Sequence, residues 1–313
     1  MSTTVSVRVG AGTTPTIDTE RGHRIRLRLL YLLAIVSNLA IFIYGFDYYK
    51  LSAMDRPFSP KHQLLRPSGP IGLYLGFVGV SLFIGIFLYP LRKHWAWLGQ
   101  IGKTRHWLDI HVLMGLTAPF IIVFHSTFKF RGIAGMAFWI MFAVSASGVV
   151  GRYLYAQIPR RVTTVELSMK ELQELQESLW EQLASQHLLP EDDLRALLRM
   201  PNAQRVRRLP IPIALVYMVI LDIIRKFGVA RLRRHASDQY FATFFGFVPT
   251  RHREVEKAIQ AAAEEAALSK RLLFLSRSQK VFHAWHVIHK PFSYAFAVLA
   301  MMHVGLQFVL GYF

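Results

Sequence analysis

Five apolar runs are separated along the chain by polar, mostly basic connections. They cover 27–46, 71–91 and about 107–128, 133–155 and 282–312. A bilayer core of about 30 Å is crossed by about 20 helical residues, and each run approaches or exceeds that length. Only helices and closed barrels satisfy their backbone hydrogen bonds inside lipid, and runs this long without period-two alternation predict helices. The expected fold is all-α: an integral membrane bundle of about five transmembrane helices with a helical cytoplasmic insert. The expected boundaries are a disordered polar tail at 1–22, four spans within 23–157, a hydrophilic, mostly helical insert at 158–281 and a fifth span at 282–313.

Within the insert, VELSMKELQELQESLWEQLASQ, PEDDLRALLRM and EVEKAIQAAAEEAALSKRLLFL carry apolar residues at helical spacing between charges. IPIALVYMVILDII at 211–224 is ambiguous. It is short for a span, Asp222 interrupts it, and both flanks are basic (Arg205, Arg207 and Arg208; Arg225, Lys226 and Arg231). An interfacial or partly buried helix is the favoured reading. If it crossed, the last helix would invert.

The charge pattern orients the bundle. Arg21, Arg24, Arg26 and Arg28 precede the first run, and Arg92, Lys93, Lys103 and Arg105 lie between the second and third. The positive-inside rule places these segments and the insert in the cytoplasm. Lys50, Arg56, Lys61 and Arg66 on the opposite side weaken that bias.

The formal charge of +18 points to nucleic acid in a soluble chain. Here Lys and Arg cluster at the ends of apolar runs and in the insert, the pattern of loops beside anionic lipid, so membrane lipid and not nucleic acid is the expected partner. There is no cysteine, which excludes disulfides, thiolate zinc sites, iron–sulfur ligation and covalent c-type haem within this chain. The polar N-terminus does not read as a signal peptide.

Histidine spacing supplies the chemistry. His111 and His125 lie 14 residues apart in the third run, and His289 and His303 lie 14 apart in the fifth. Fourteen helical residues return to within roughly 40° of the starting face and rise about 21 Å. Each helix therefore presents two histidines on nearly one face, one toward each side of the membrane. With both helices running the same way, His111 faces His289 on the inner side and His125 faces His303 on the outer side. Two facing imidazoles at each level match the axial ligation of b-type haem, and two levels make two haems per chain. The competing reading is four ordinary buried histidines, but ionisable residues within membranes are rare and tend to be functional. A zinc site at His283, His286 and His289 is disfavoured because that spacing spreads the rings over more than half the helix circumference.

Other residues fit a porphyrin. Gly115 and Gly305 leave room for its face, or for tight helix packing. Gly72, Gly76, Gly79 and Gly85 in the second run invite close approach of a helix or a flat cofactor. Arg105 and Lys290 are candidate propionate partners for the inner haem, Lys129 and Arg131 for the outer. Pro119 should kink the third helix. Ser126 and Ser293 are candidates to accept from the second imidazole nitrogen.

With FHSTFKF, SGVVGRYLY and HAWHVIHKPFSYAFAVLAMMHVG, these paired histidines resemble the di-haem core of the cytochrome b and ferric reductase-like transmembrane families, over roughly 71–156 and 282–312. The resemblance implies bis-histidine haem b and electron transfer across the bilayer of a bacterial inner membrane. It departs from those families in its insert of about 120 residues, in lacking a GxGxxG after a strand, and in showing no quinone-site signature. The chain is expected to be an electron-transfer subunit of an oxidoreductase complex. A flavoprotein, iron–sulfur or multihaem subunit would be its partner, and quinol a donor by elimination. Alternatives are a ferric or quinone reductase half served by a separate flavoprotein, and a haem-free scaffold or transporter.

Overall fold

The computed structural model describes residues 17–158, 191–199, 201, 206, 209–235, 246, 249 and 253–311. Among them, all regular structure is helical. The main helices are α1 (Ile17–Tyr49), α2 (Pro70–Leu91), α3 (Thr104–His125), α4 (Gly132–Gln157), α5 (Glu191–Leu198), α6 (Ile211–His235), α7 (Arg253–Leu273) and α8 (Leu275–Val309). Helix α1 starts at Ile17, so 17–22 are helical where the sequence led us to expect disorder. Helix α8 starts at Leu275, inside the expected insert. The first of the expected insert helices, VELSMKELQELQESLWEQLASQ, lies outside the described residues.

Five helices are long and apolar enough to cross a membrane: α1, α2, α3, α4 and α8. Helix α6 is not among them. The apolar surface these five expose is what a lipid-facing bundle needs. On α1, Leu33 is 63 % exposed and Ile43 65 %, values that in water would mark an unsatisfied patch.

The chain divides into two compact units, 1–149 with 289–313, and 150–288. In the first unit α2 packs along α3, and α1 also packs on α3. The glycines of α2 make this approach close. A Cβ on Gly76 would stand 2.9 Å from the His125 ring, one on Gly79 would stand 2.4 Å from Ile122, and one on Gly85 2.6 Å from the Met114 sulfur. The glycine stripe thus receives α3 side chains. Two buried arginines fasten the connections. Arg92 donates to the Gly99 and Gly102 carbonyls and to Thr104 Oγ1, fixing the turn between α2 and α3. Arg56 donates to the Leu51, Tyr49 and Thr127 carbonyls. Thr127 and the next residue, Phe128, follow the end of α3 with left-handed φ of 50° and 60°, costly for non-glycine residues, and this guanidinium holds the segment there.

Helix α3 runs through Pro119, which cannot donate to the carbonyl four residues back. That carbonyl, on Gly115, accepts instead from Ser145 Oγ on α4 at 2.6 Å.

In the second unit α5, α6 and α7 pack around Leu194, Leu232, Ile259 and Ala262. Ala214 and Met218 of α6 pack with Leu154 at the end of α4 and with Phe274 just before α8. A buried polar cluster joins three helices: Asp222 accepts from Tyr153 and from Lys270 Nζ at 2.8 and 2.6 Å, with Arg225 at 3.1 Å. Burial raises the Asp222 carboxyl, but hydrogen bonds from Lys270 and Tyr153 outweigh it and hold the group below its ordinary range. Burial likewise holds Lys270 below the usual lysine range.

Candidate functional site

Histidine anchoring defines the site. His111 Nδ1 lies 3.0 Å from the Ile86 carbonyl oxygen, and His125 Nδ1 lies 2.8 Å from that of Gly72. A carbonyl only accepts, so Nδ1 carries the proton in both rings and Nε2 keeps its lone pair. The two α3 imidazoles are thus anchored through Nδ1 with Nε2 pointing away from the anchor, the arrangement that orients metal-ligating histidines. His289 meets a hydroxyl instead. Ser147 Oγ lies 2.8 Å from the Val144 carbonyl oxygen and 2.8 Å from His289 Nδ1, and its one proton can serve either.

The two α2 acceptors, Gly72 and Ile86, are themselves 14 residues apart, the same spacing as His125 and His111. Helices α2 and α3 meet antiparallel, so one register serves both contacts. The local sequence prepares each. Pro90 has no N–H to give the Ile86 carbonyl four residues earlier, leaving that oxygen open to His111. Gly76 lacks the side chain that would strike His125.

At the outer level, His303 is within electrostatic range of His125. Among the described residues none anchors the His303 ring. At the inner level, Lys93 lies within electrostatic reach of both His111 and Lys290. Burial, reinforced by the Lys290 charge, holds Lys93 below the ordinary lysine range. Two cations within electrostatic reach of one another favour an anion between them.

Several expected residues stand differently. Arg105 is exposed and lies near Glu20 of α1, to which Lys103 donates at 2.6 Å. Lys129 and Arg131 are exposed on the turn after His125. Ser126 donates to the Val123 carbonyl at 3.0 Å and Ser293 to the His289 carbonyl at 2.7 Å. Both bond their own helix backbone, and the hydroxyl that meets a site imidazole is that of Ser147. Gly115 and Gly305 have open space where a Cβ would sit, with nothing within 4 Å. A Cβ on Gly148 would just touch the His289 ring, at 4.0 Å. His283 is exposed and His286 packs against Phe282 and Trp285. Among the described residues no three His, Asp or Glu side chains converge as a metal site, whereas axial ligation asks for two imidazoles per iron.

Sequence reasoning missed Lys93, Ser147 and both carbonyl acceptors. Pro90 and Gly76, 14 residues apart and matched to the histidine spacing, were the available signal.

No family model, curated protein or solved structure matches this chain.

Proposed function

We propose that the bundle is a di-haem b-type membrane cytochrome of a bacterial inner membrane. It would pass electrons across the bilayer as a subunit of an oxidoreductase complex. The observation that carries this reading is the pair of imidazoles on α3, both held by Nδ1 at matched 14-residue intervals with Nε2 left to bind. Buried structural histidines gain nothing from a repeated spacing on two partner helices.

The residues suit the group. His111 with His289 and His125 with His303 would supply axial nitrogens. The open space beside Gly115 and Gly305 leaves room for a macrocycle, and Lys93 with Lys290 would meet a propionate. Haem supplies a one-electron iron couple when bound. The chain keeps the α3 imidazoles aimed, and its apolar helices exclude water. Quinol as donor, and a flavoprotein, iron–sulfur or multihaem protein as partner, follow from the lack of any other redox group in the chain.

The test is the absorption spectrum of the full chain, purified after haem-replete expression, oxidised and dithionite-reduced, with haem counted per chain. Sharp low-spin b-type bands at two haems per chain are expected, falling to one in His111→Ala and in His125→Ala. A colourless protein overturns the reading.

A further inference from the structure

We infer that α6 lies in the headgroup boundary of the membrane, with its outer face immersed among anionic lipids. This is independent of the haem reading and rests on α6 and on the ends of α4 and α8 that it packs against. Ile213, Val216, Ile220, Ile223, Ile224 and Phe227 are all exposed, Val216 by 59 % and Phe227 by 60 %. Their three- and four-residue spacing places them on one stripe roughly 100° wide. The opposite side of the same helix is spent on protein: Ala214 and Met218 are buried, and Asp222 holds Lys270. An apolar stripe of this size on one face, with packing on the other, is the signature of a helix lying flat at an interface.

What it packs against supplies the level. The buried side of α6 meets Leu154 of α4 and Phe274, with Val281, Phe282 and Trp285 of α8 alongside. Those residues occupy the ends of two helices long and apolar enough to cross the bilayer. A helix of 35 residues spans about 52 Å against a hydrocarbon core of about 30 Å. The start of α8 therefore stands beyond the core, where interfacial side chains belong.

Charge names the lipid. Between 205 and 235 there is one acidic side chain, Asp222, among eight Lys and Arg. Lys226 and Arg231 are exposed and Arg234 is half-buried. Arg231 also pairs with Asp193 at 2.9 Å, and Arg233 and Arg225 are committed to Glu256 and Asp222. Lys226, Arg231 and Arg234 cluster at the C-terminal end of the stripe or its rim, where long cationic side chains reach up to headgroups. Each such charge is worth roughly fivefold in partitioning onto an anionic surface.

The chain has no cysteine, so single spin labels report cleanly. Full-length Val216→Cys, Ile220→Cys and Phe227→Cys would be labelled in nanodiscs of phosphatidylcholine, with and without phosphatidylglycerol. Glu264→Cys, on the exposed side of α7, is the water-facing control. The ratio of oxygen to nickel-chelate collisions should be several-fold higher at all three α6 positions than at 264. Adding Lys226→Gln, Arg231→Gln and Arg234→Gln should lower it in discs containing phosphatidylglycerol and leave it unchanged in phosphatidylcholine alone. Ratios equal to the control would overturn the inference. So would labels shielded from both reagents, which would mean that protein covers the face: a second copy if labels broaden one another, the chain's own insert if they do not.

Discussion

At the level of His111, α2 offers a carbonyl that lacks its helical donor. At the level of His125, it offers one that lacks a covering side chain. Both levels answer one need, an acceptor for Nδ1 inside an apolar bundle where an unpaired N–H costs on the order of 1–3 kcal/mol. The inner solution removes competition for an oxygen; the outer removes bulk. A carbonyl oxygen has two lone pairs and tolerates a second donor, whereas two atoms cannot share one volume. The outer level should therefore be the more fragile.

The strongest test is Gly76→Leu. Its side chain would start where the His125 ring stands, 2.9 Å from the Cβ position, and the expected outcome is one haem per chain instead of two, with the remaining bands unchanged. Second comes Ser147→Ala, which removes the hydroxyl at His289 Nδ1 and should weaken haem retention by about 10- to 100-fold, read by haem transfer to an apo-globin acceptor. Pro90→Ala should do less. The new N–H would share the Ile86 carbonyl with His111, so both haems should stay, with a shifted midpoint potential for one. If Pro90→Ala empties a site while Gly76→Leu does not, the ordering of inner and outer levels is wrong. The smallest effect belongs to Ser126→Ala and Ser293→Ala, whose hydroxyls bond their own backbone. Their spectra and haem content should match the parent chain.

The five spans were legible because lipid imposes length: about 20 apolar residues for each crossing. That His111 and His125 share a face of α3 was legible because helical geometry returns to that face after 14 residues. The partners of those histidines were not, for two physical reasons. Backbone carbonyls leave no side-chain signature, and whether one is free depends on a residue four positions later, as with Ile86 and Pro90. Ser126 and Ser293 were drawn in by nearness in sequence, yet a residue one position along a helix points about 100° away, and a hydroxyl four positions along reaches its own helix's carbonyl. Ser147 sits 142 residues from His289; only the packing of α4 on α8 brings them together. Arg105 was assigned by its level in the membrane. Level alone leaves the compass direction open, and Arg105 lies on the side of α3 near α1.

The matched intervals on α2 and α3 reduce the mechanics of the site to one coordinate. A screw motion of α3 past α2 cannot slacken one imidazole and spare the other, because both are tied to the same neighbour in the same register. Any push on that helix pair, from lipid thickness or from a docked partner, would reach the two levels in phase. They would respond as a ganged pair of switches, thrown by a single shaft.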